Sequence, residues 1–466
     1  MKMNKLTYFL LLAITLSSCK NKESKVYDLV ILNARIINVE NESVSEGQSI
    51  FISGGEIVEV RKGVDKEQFT ADRLIDANGK FVMPGLWDNH VHFRGGDTLV
   101  EENKDLLPLF LAYGITTVRD AGGDITPNVL KWKDQIEKGE LDGPRIFSSG
   151  PKLDGDKPAW PGSIKVTSKA EIVAALDSLE GLEVDYVKTY DGNLSAEDYY
   201  SIIEEAEKRG LKVTGHMPMS ADFLKAISLG LDGAEHMYYP LKACSPAGDS
   251  LTKLNLGYGM IEPLIDTYDP ELAAEVFTKM SEENVYVTPT LYIGKTLSEI
   301  LEVDHQQDLL LNYIGSGIQQ TYQGRIEGAK RAKASGSKMR EKMEEISARM
   351  IEPMQNAGVS LLAGSDCGAF NSYVYPGESL HWELNALSKA GLSNAQTIRT
   401  SIINGPEFLD LGNEYGSIAS GKVADILILD KNPLENIDNL KKINTVIKSG
   451  RVYDRKSLNT MLENLR

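Results

Sequence analysis

Phe81-Val82-Met83-Pro84-Gly85-Leu86-Trp87-Asp88-Asn89-His90-Val91-His92-Phe93 is an apolar run that closes on two histidines one residue apart. Side chains alternate faces along a strand, so His90 and His92 share one face while Val91 takes the other. Two imidazoles leaving the end of a strand on the same side are a ready pair of metal ligands. The arrangement repeats downstream. Val213-Thr214-Gly215 is closed by His216, Gly233-Ala234-Glu235 by His236, and Leu361-Leu362-Ala363-Gly364-Ser365 by Asp366. The chain has only six histidines, and four of them stand at the ends of predicted strands. Histidines serving only the core would be scattered along strands and helices instead.

Working outward, eight apolar runs are predicted as strands, at 81–93, 115–121, 145–149, 186–190, 212–217, 233–237, 285–291 and 359–366. Amphipathic helical stretches separate them, which is the pattern of βα units and a parallel sheet. Ser195 with Asp198 opens one such helix as an N-cap pair, and Asp269-Pro270 opens another with Pro at its first position. Eight units predict a closed (β/α)8 TIM-like barrel over residues 84–411, with the active site at the C-terminal ends of the strands. Two insertions stand out, residues 240–269 after the sixth strand and 293–339 after the seventh. Loops of that length are lids or oligomer contacts; for the second, a solvated arm fits the charge pattern equally well.

The flanks are written differently. Asp28-Leu29-Val30-Ile31-Leu32, Ser49-Ile50-Phe51-Ile52 and Glu56-Ile57-Val58-Glu59-Val60 are short β-rich runs, with Gly54-Gly55 as a hairpin turn between the last two. Ala424-Asp425-Ile426-Leu427-Ile428-Leu429 and Asn444-Thr445-Val446-Ile447 return to that style near the C-terminus. The two ends, 27–83 and 412–466, are therefore expected to form one small β-sandwich domain interrupted by the barrel. The fold class is α/β.

A chain of 466 residues with 42% hydrophobic and 25% charged residues has enough apolar material for such a two-domain protein. Its formal net charge of -17 argues against a nucleic-acid partner, which needs a basic face. The three cysteines, Cys19, Cys244 and Cys367, form neither a disulfide framework nor a zinc knuckle.

The first residues read as an address. Lys2 and Lys5 precede the apolar run Leu6-Thr7-Tyr8-Phe9-Leu10-Leu11-Leu12-Ala13-Ile14-Thr15-Leu16, which is too short to span a bilayer. It leads into Leu16-Ser17-Ser18-Cys19, which resembles the lipobox of bacterial lipoproteins. That resemblance implies a signal peptide at 1–18, a lipid on Cys19, a tether at 19–26, and an exported protein anchored at a cell-envelope membrane.

The opening stretch from Phe81 to His92 also resembles the first motif of the amidohydrolase superfamily, and Gly416-Ser417-Ile418-Ala419-Ser420-Gly421-Lys422-Val423-Ala424-Asp425 resembles its last. Tyr186-Val187-Lys188-Thr189-Tyr190 and Gly377-Glu378-Ser379-Leu380-His381-Trp382-Glu383-Leu384 are similar to the imidazolonepropionase-like and Xaa-Pro dipeptidase branch. The resemblance implies two divalent ions; for imidazole ligands without a redox role zinc is the expected one, with manganese and iron as alternatives. His90, His92 and Asp366 would hold the first and His216 and His236 the second. Lys188 would be carboxylated by CO₂ and bridge them; without that precedent it reads as a surface or ion-paired lysine. Asp366 would also be the catalytic proton carrier beside a metal-activated hydroxide.

The implied activity is hydrolysis of an amide bond in a dipeptide or N-acyl amino acid. The alternatives are ring opening of a cyclic amide or lactone, and a solute-binding lipoprotein without catalysis. Tyr190 and Tyr238, with Tyr239 adjoining, are candidates to bind a substrate carboxylate or to pack under the lids. His381 faces substrate or caps a helix with Glu383. Arg119 meets an anionic substrate group or a structural carboxylate. His305 is expected in solvent, and Cys367 in the packing rather than as a nucleophile. Partners are thus a small-molecule or dipeptide substrate, a membrane through Cys19, and a second copy of the chain if it forms a homo-oligomer.

Overall fold

The computed structural model describes residues 26–465 apart from 65, 67 and 68; the leader and Cys19 lie outside the described residues. The two flanks meet in one nine-stranded sheet. Eight strands lie side by side in the order Lys422–Val423, Glu56–Lys62, Ser43–Ser53, Val26–Asn38, Phe81–Pro84, Ile426–Leu429, Ile443–Lys448, Arg451–Asp454, and Thr70–Asp76 pairs with Val26–Asn38. Alternating apolar residues account for its burial: Leu29, Ile31, Ile50, Ile52, Val82, Ile426 and Ile428 pack as one cluster.

The rest of the chain is mixed α/β, built on three short parallel sheets. The first joins Leu86–Val91, Ile115–Asp120 and Arg145–Ser148. The second contains Val187–Thr189 and Val213–Gly215, and the third Gly233–Glu235, Tyr286–Thr288 and Ser360–Leu361. Backbone bonds link sheet to sheet: Asp185 N–H to Ser148 O at 2.9 Å, Asp232 N–H to Val213 O at 3.2 Å, and, between the last and the first, Asn89 N–H to Ala363 O at 2.9 Å with Asp366 N–H to His90 O at 2.7 Å and His92 N–H to Cys367 O at 2.9 Å. The strand ends that carry His90, Lys188, His216, His236 and Asp366 are thereby neighbours.

The run 81–93 does not form one strand. It breaks at Gly85, with Phe81–Pro84 in the large sheet and Leu86–Val91 in the first parallel one. Gly85 N–H donates to Asp425 O, and a Cβ at Gly85 would lie 2.2 Å from Thr116 Oγ1, so the crossing point between the sheets admits only glycine. The eighth strand is also shorter than predicted, with only Ser360–Leu361 in the ladder. Leu153–Asp154 and Ile164–Lys165 are two further short strands that the apolar pattern did not indicate.

Helix starts follow local chemistry. The Ser195 side chain accepts the Asp198 N–H to cap Ala196–Arg209, and Asp269 caps Pro270–Glu282 by accepting from Glu271 and Leu272. Both insertions are largely helical: the second contains Gln323–Ala334 and leads into Met339–Asn356. Among the described residues no helix is long and apolar enough to cross a membrane.

Candidate metal centre and active site

His90, His92 and Asp366 come together, all buried, with one ligand atom of each within 4.8 Å of the others. His90 Nε2 lies 3.3 Å from His92 Nε2, and Asp366 Oδ1 lies 3.5 Å from the first and 3.3 Å from the second. His236 Nε2 is 3.9 Å from Asp366 Oδ2. His216 stands one place further along, its ring centre 4.9 Å from that of His236.

Each ring is anchored by its other nitrogen. His90 Nδ1 donates to Glu235 Oε2, His92 Nδ1 to Gly122 O at 2.9 Å, and His216 Nδ1 to Asp191 Oδ1 at 2.9 Å. A carbonyl or carboxylate only accepts, so in these three rings Nδ1 carries the proton and Nε2 keeps its lone pair. His236 Nδ1 meets the Thr290 hydroxyl at 2.6 Å. Burial lowers the pKa of His90 and takes His92 and His236 well below the ordinary imidazole range, so all three are neutral donors. Burial alone would raise Asp366, yet its carboxyl is held well below the usual carboxylate range and is ionised. Neutral imidazole nitrogens and an ionised carboxylate, facing one point in a buried site, are a donor set that fits a divalent ion.

The backbone is strained where the ligands turn inward. His236 has φ 69° and Asp366 φ 57°, in the left-handed region that residues other than glycine seldom adopt. Asn371 holds the second of these turns, donating from Nδ2 to Asp366 O and, at 2.8 Å, to Asp366 Oδ1. Asp88 accepts from Ser365 N–H and Ser365 Oγ just before it. Gly364 lets the first and last parallel strands close up, since a Cβ there would lie 2.6 Å from His90 Cβ.

Lys188 is buried in the same place, 1% exposed at its side chain. Its Nζ has no hydrogen-bond partner and stands 3.9 Å from Glu235 Oε1. Burial brings the Lys188 ammonium down to about 8 against the pull of Glu235 and Asp366. Glu235 is otherwise engaged: Arg119 donates to Oε1 at 3.0 Å and Thr214 Oγ1 to the same oxygen at 3.0 Å. Of the two roles open to Arg119, the structure therefore assigns the structural carboxylate.

A cavity of about 530 Å³ opens on this cluster. His216, His236 and Asp366 line it, as do Tyr190 and Tyr238. Tyr190 stacks on His216, with ring centres 4.5 Å apart. Both insertions reach the wall, the first through Tyr258 and the second through Ile293, Leu297 and Arg325.

Three other residues singled out in the sequence do not line the cavity. His381 does not line the cavity; it is buried, and Nε2 donates to Tyr113 O at 2.8 Å, so it ties a helix to a neighbouring turn. His305 is mostly covered rather than solvated, because its ring stacks on Tyr373 with centres 3.9 Å apart and Nδ1 pairs with Asp308 at 2.9 Å. Cys367 is a free, buried thiol whose pKa burial raises well above the ordinary value, which suits packing and not nucleophilic work.

Glu235, Asp191 and Lys152 belong to the site's surroundings and were not singled out from sequence. Glu235 adjoins His236, and simple alternation puts neighbours on opposite faces; the left-handed turn at His236 is what brings both inward. Lys152 is 2% exposed, with an unpartnered Nζ 5.2 Å from the ring centres of Trp160 and Tyr190. Only its place after Gly150-Pro151, at the end of a predicted strand, hinted at it.

Comparison with known proteins agrees with this geometry. Residues 81–453 match the amidohydrolase family. The 5-methylthioadenosine/S-adenosylhomocysteine deaminase of Acetivibrio thermocellus is 24% identical over 427 residues, 86% of this chain and 85% of that protein. Among solved structures, a putative prolidase from Bifidobacterium longum superposes with TM-score 0.67 at 21% identity, covering 95% of this chain and 99% of its own. A Xaa-Pro dipeptidase with methionine bound in its active site gives TM-score 0.67 at 20% identity, with 91% and 99% covered. With the match spanning the three parallel sheets, the large sheet's strands from Phe81–Pro84 onward and every candidate ligand, this chain belongs to the amidohydrolase family and is a metal-dependent hydrolase.

Proposed function

We propose that this protein hydrolyses the amide bond of dipeptides or N-acyl amino acids with two divalent ions, zinc by preference, at the C-terminal mouth of a (β/α)8 barrel flanked by a β-sandwich. The observation that carries the reading is the gathering of the His90, His92 and His236 Nε2 atoms within 3.9 Å of the Asp366 carboxylate, with Nδ1 of His90 and of His92 each occupied by a pure acceptor. His90, His92 and Asp366 would hold one ion, and His216 and His236 the other. The buried, unpartnered Lys188 amine, with its lowered pKa, supports carboxylation by CO₂ and a bridging role. The ions supply Lewis acidity, polarising the scissile carbonyl and making a water more acidic.

The chain's own residues do the rest. Asp366, held by Asn371, takes a proton from the attacking water at a carboxylate oxygen and delivers it to the leaving nitrogen. Glu235 fixes the His90 ring and, with Arg119, keeps its own charge neutralised. Tyr190 and Tyr238 face the cavity and present hydroxyls to the substrate. The Leu16-Ser17-Ser18-Cys19 stretch supports placing this activity on a lipid tether at the cell envelope.

Elemental mass spectrometry on the purified protein, run alongside a dipeptide panel, tests the proposal. Close to two ions per chain, with turnover that disappears in Lys188→Ala, is the expected result. One ion or none under metal-replete conditions, with no turnover on the panel, overturns it.

A further inference from the structure

The cavity beside the histidines also has a cationic wall that forms no ion pair among the described residues. Arg325, from Gln323–Ala334, and Arg340, from Met339–Asn356, line the cavity together with Tyr238. Arg325 spends its hydrogen bonds on neutral acceptors, Phe370 O at 3.3 Å from Nε and Asn371 Oδ1 at 3.1 Å. Arg340 has neither a hydrogen bond nor an ion pair among the described residues. Both are half-buried, and burial together with the Arg325 charge lowers the pKa of Arg340. The carboxylates on the same wall are committed elsewhere: Asp191 to His216 and Tyr258, Glu344 to Ser298, and Asp366 to the histidine cluster.

Two guanidinium groups that feel each other's charge in a partly dry site raise the free energy of the empty pocket, and an anion between them lowers it. Guanidinium forks match a carboxylate in shape as well as charge. The chain as a whole carries -17, so a cationic patch confined to the cavity also concentrates anions where the surrounding surface repels them. Asn371 ties this patch to the chemistry, since its Oδ1 accepts from Arg325 while its Nδ2 donates to Asp366.

We propose that Arg325 and Arg340, with the Tyr238 hydroxyl, form the receptor for a substrate carboxylate and restrict the enzyme to amides that carry one. The inference rests on the amide-hydrolase reading for what is cleaved, but the anion site itself does not. It makes the inserted segment after the seventh parallel strand a specificity element that completes the cavity.

Two measurements on the metal-loaded protein test it. The first is calorimetric binding of hippurate against its neutral amide, hippuramide, to the wild type and to Arg325→Gln, Arg340→Gln, Arg340→Lys and the double Gln variant. Hippurate should bind the wild type at least tenfold tighter than hippuramide, each single Gln variant should lose about tenfold and the double about a hundredfold, with Arg340→Lys, which keeps the charge but not the fork, falling between the wild type and Arg340→Gln. Equal affinity for acid and amide in the wild type, or undiminished hippurate binding in the double variant, overturns the proposal; the second result would put the anion on the metal. The second measurement is kcat/KM for each dipeptide and its C-terminal amide. Equal rates on both overturn the carboxylate site and leave the hydrolase intact. Hippurate binding as expected with no hydrolysis of any panel member sinks the amide-hydrolase reading and leaves the carboxylate site standing. Thermal melts of all variants separate lost binding from lost folding.

Discussion

An imidazole offers a metal one nitrogen, and the group bonded to the other nitrogen decides which. At His90 that group is Glu235, a residue that touches the first ligand from the strand carrying another. Glu235→Gln replaces the acceptor by an amide and removes the charge that Arg119 answers, so metal affinity should fall about 10–100-fold. Competition with a fluorescent zinc chelator measures this, and an unchanged dissociation constant would remove Glu235 from the argument. The four histidines and Asp366 were legible in the sequence because each ends an apolar run, at the end of a short parallel strand or just beyond it. Glu235 was not, because the φ of 69° at His236 breaks alternation at that point. Arg325 and Arg340 were illegible for another reason: cations are ordinary in a charged helical stretch, and their meeting with Tyr238 is made only by the tertiary fold.

Elements were legible where their residues are buried on every side. Ile115–Asp120 is buried throughout, and its four β-branched residues in a row, Ile115 to Val118, announce the strand. Strand ends were less so, since Ser360–Leu361 pairs over two residues and the chain then continues extended to Asp366 without a ladder. The helix Glu378–Lys389 shows how an element can be anchored by a residue that sequence reads ambiguously. Its Glu383 is fully buried and accepts the Tyr292 N–H at 2.7 Å, pinning the start of Leu291–Ser298, while Oε1 has no partner. Burial pushes the Glu383 carboxyl up to about 8 from 4.5. The folded state thus holds a proton that the unfolded chain releases, so the stabilisation is complete below about 4.5 and is lost as pH rises toward 8. Glu383→Gln keeps the hydrogen bond and cannot ionise. Its melting temperature should match the wild type near pH 5 and exceed it near pH 8; parallel melting curves at both pH values would sink the assignment.

For the whole molecule, the His90, His92 and Asp366 cluster brings the end of a strand in the first parallel sheet against the stretch that follows the third sheet's last strand, so an ion bound there would cross-link distant parts of the chain. A ligand that binds only the native state stabilises it by about 2.7 kcal/mol at a hundred times its dissociation constant. Chelator treatment should therefore lower the melting temperature, and the gap between treated and untreated protein should vanish in a His90→Ala/His92→Ala double variant. A chelator effect that persists there would place the stabilising ion elsewhere. The large sheet carries a different consequence, in time and not in energy. Phe81–Pro84 has Val26–Asn38 on one side, but its other neighbour is Ile426–Leu429. On a ribosome adding ~5–20 residues per second, that partner emerges tens of seconds later. Until then the nascent chain presents an open strand edge, of the kind that recruits other chains. Something must keep that edge from the wrong neighbour while the middle of the protein is still being made, and a holding chaperone is the natural candidate.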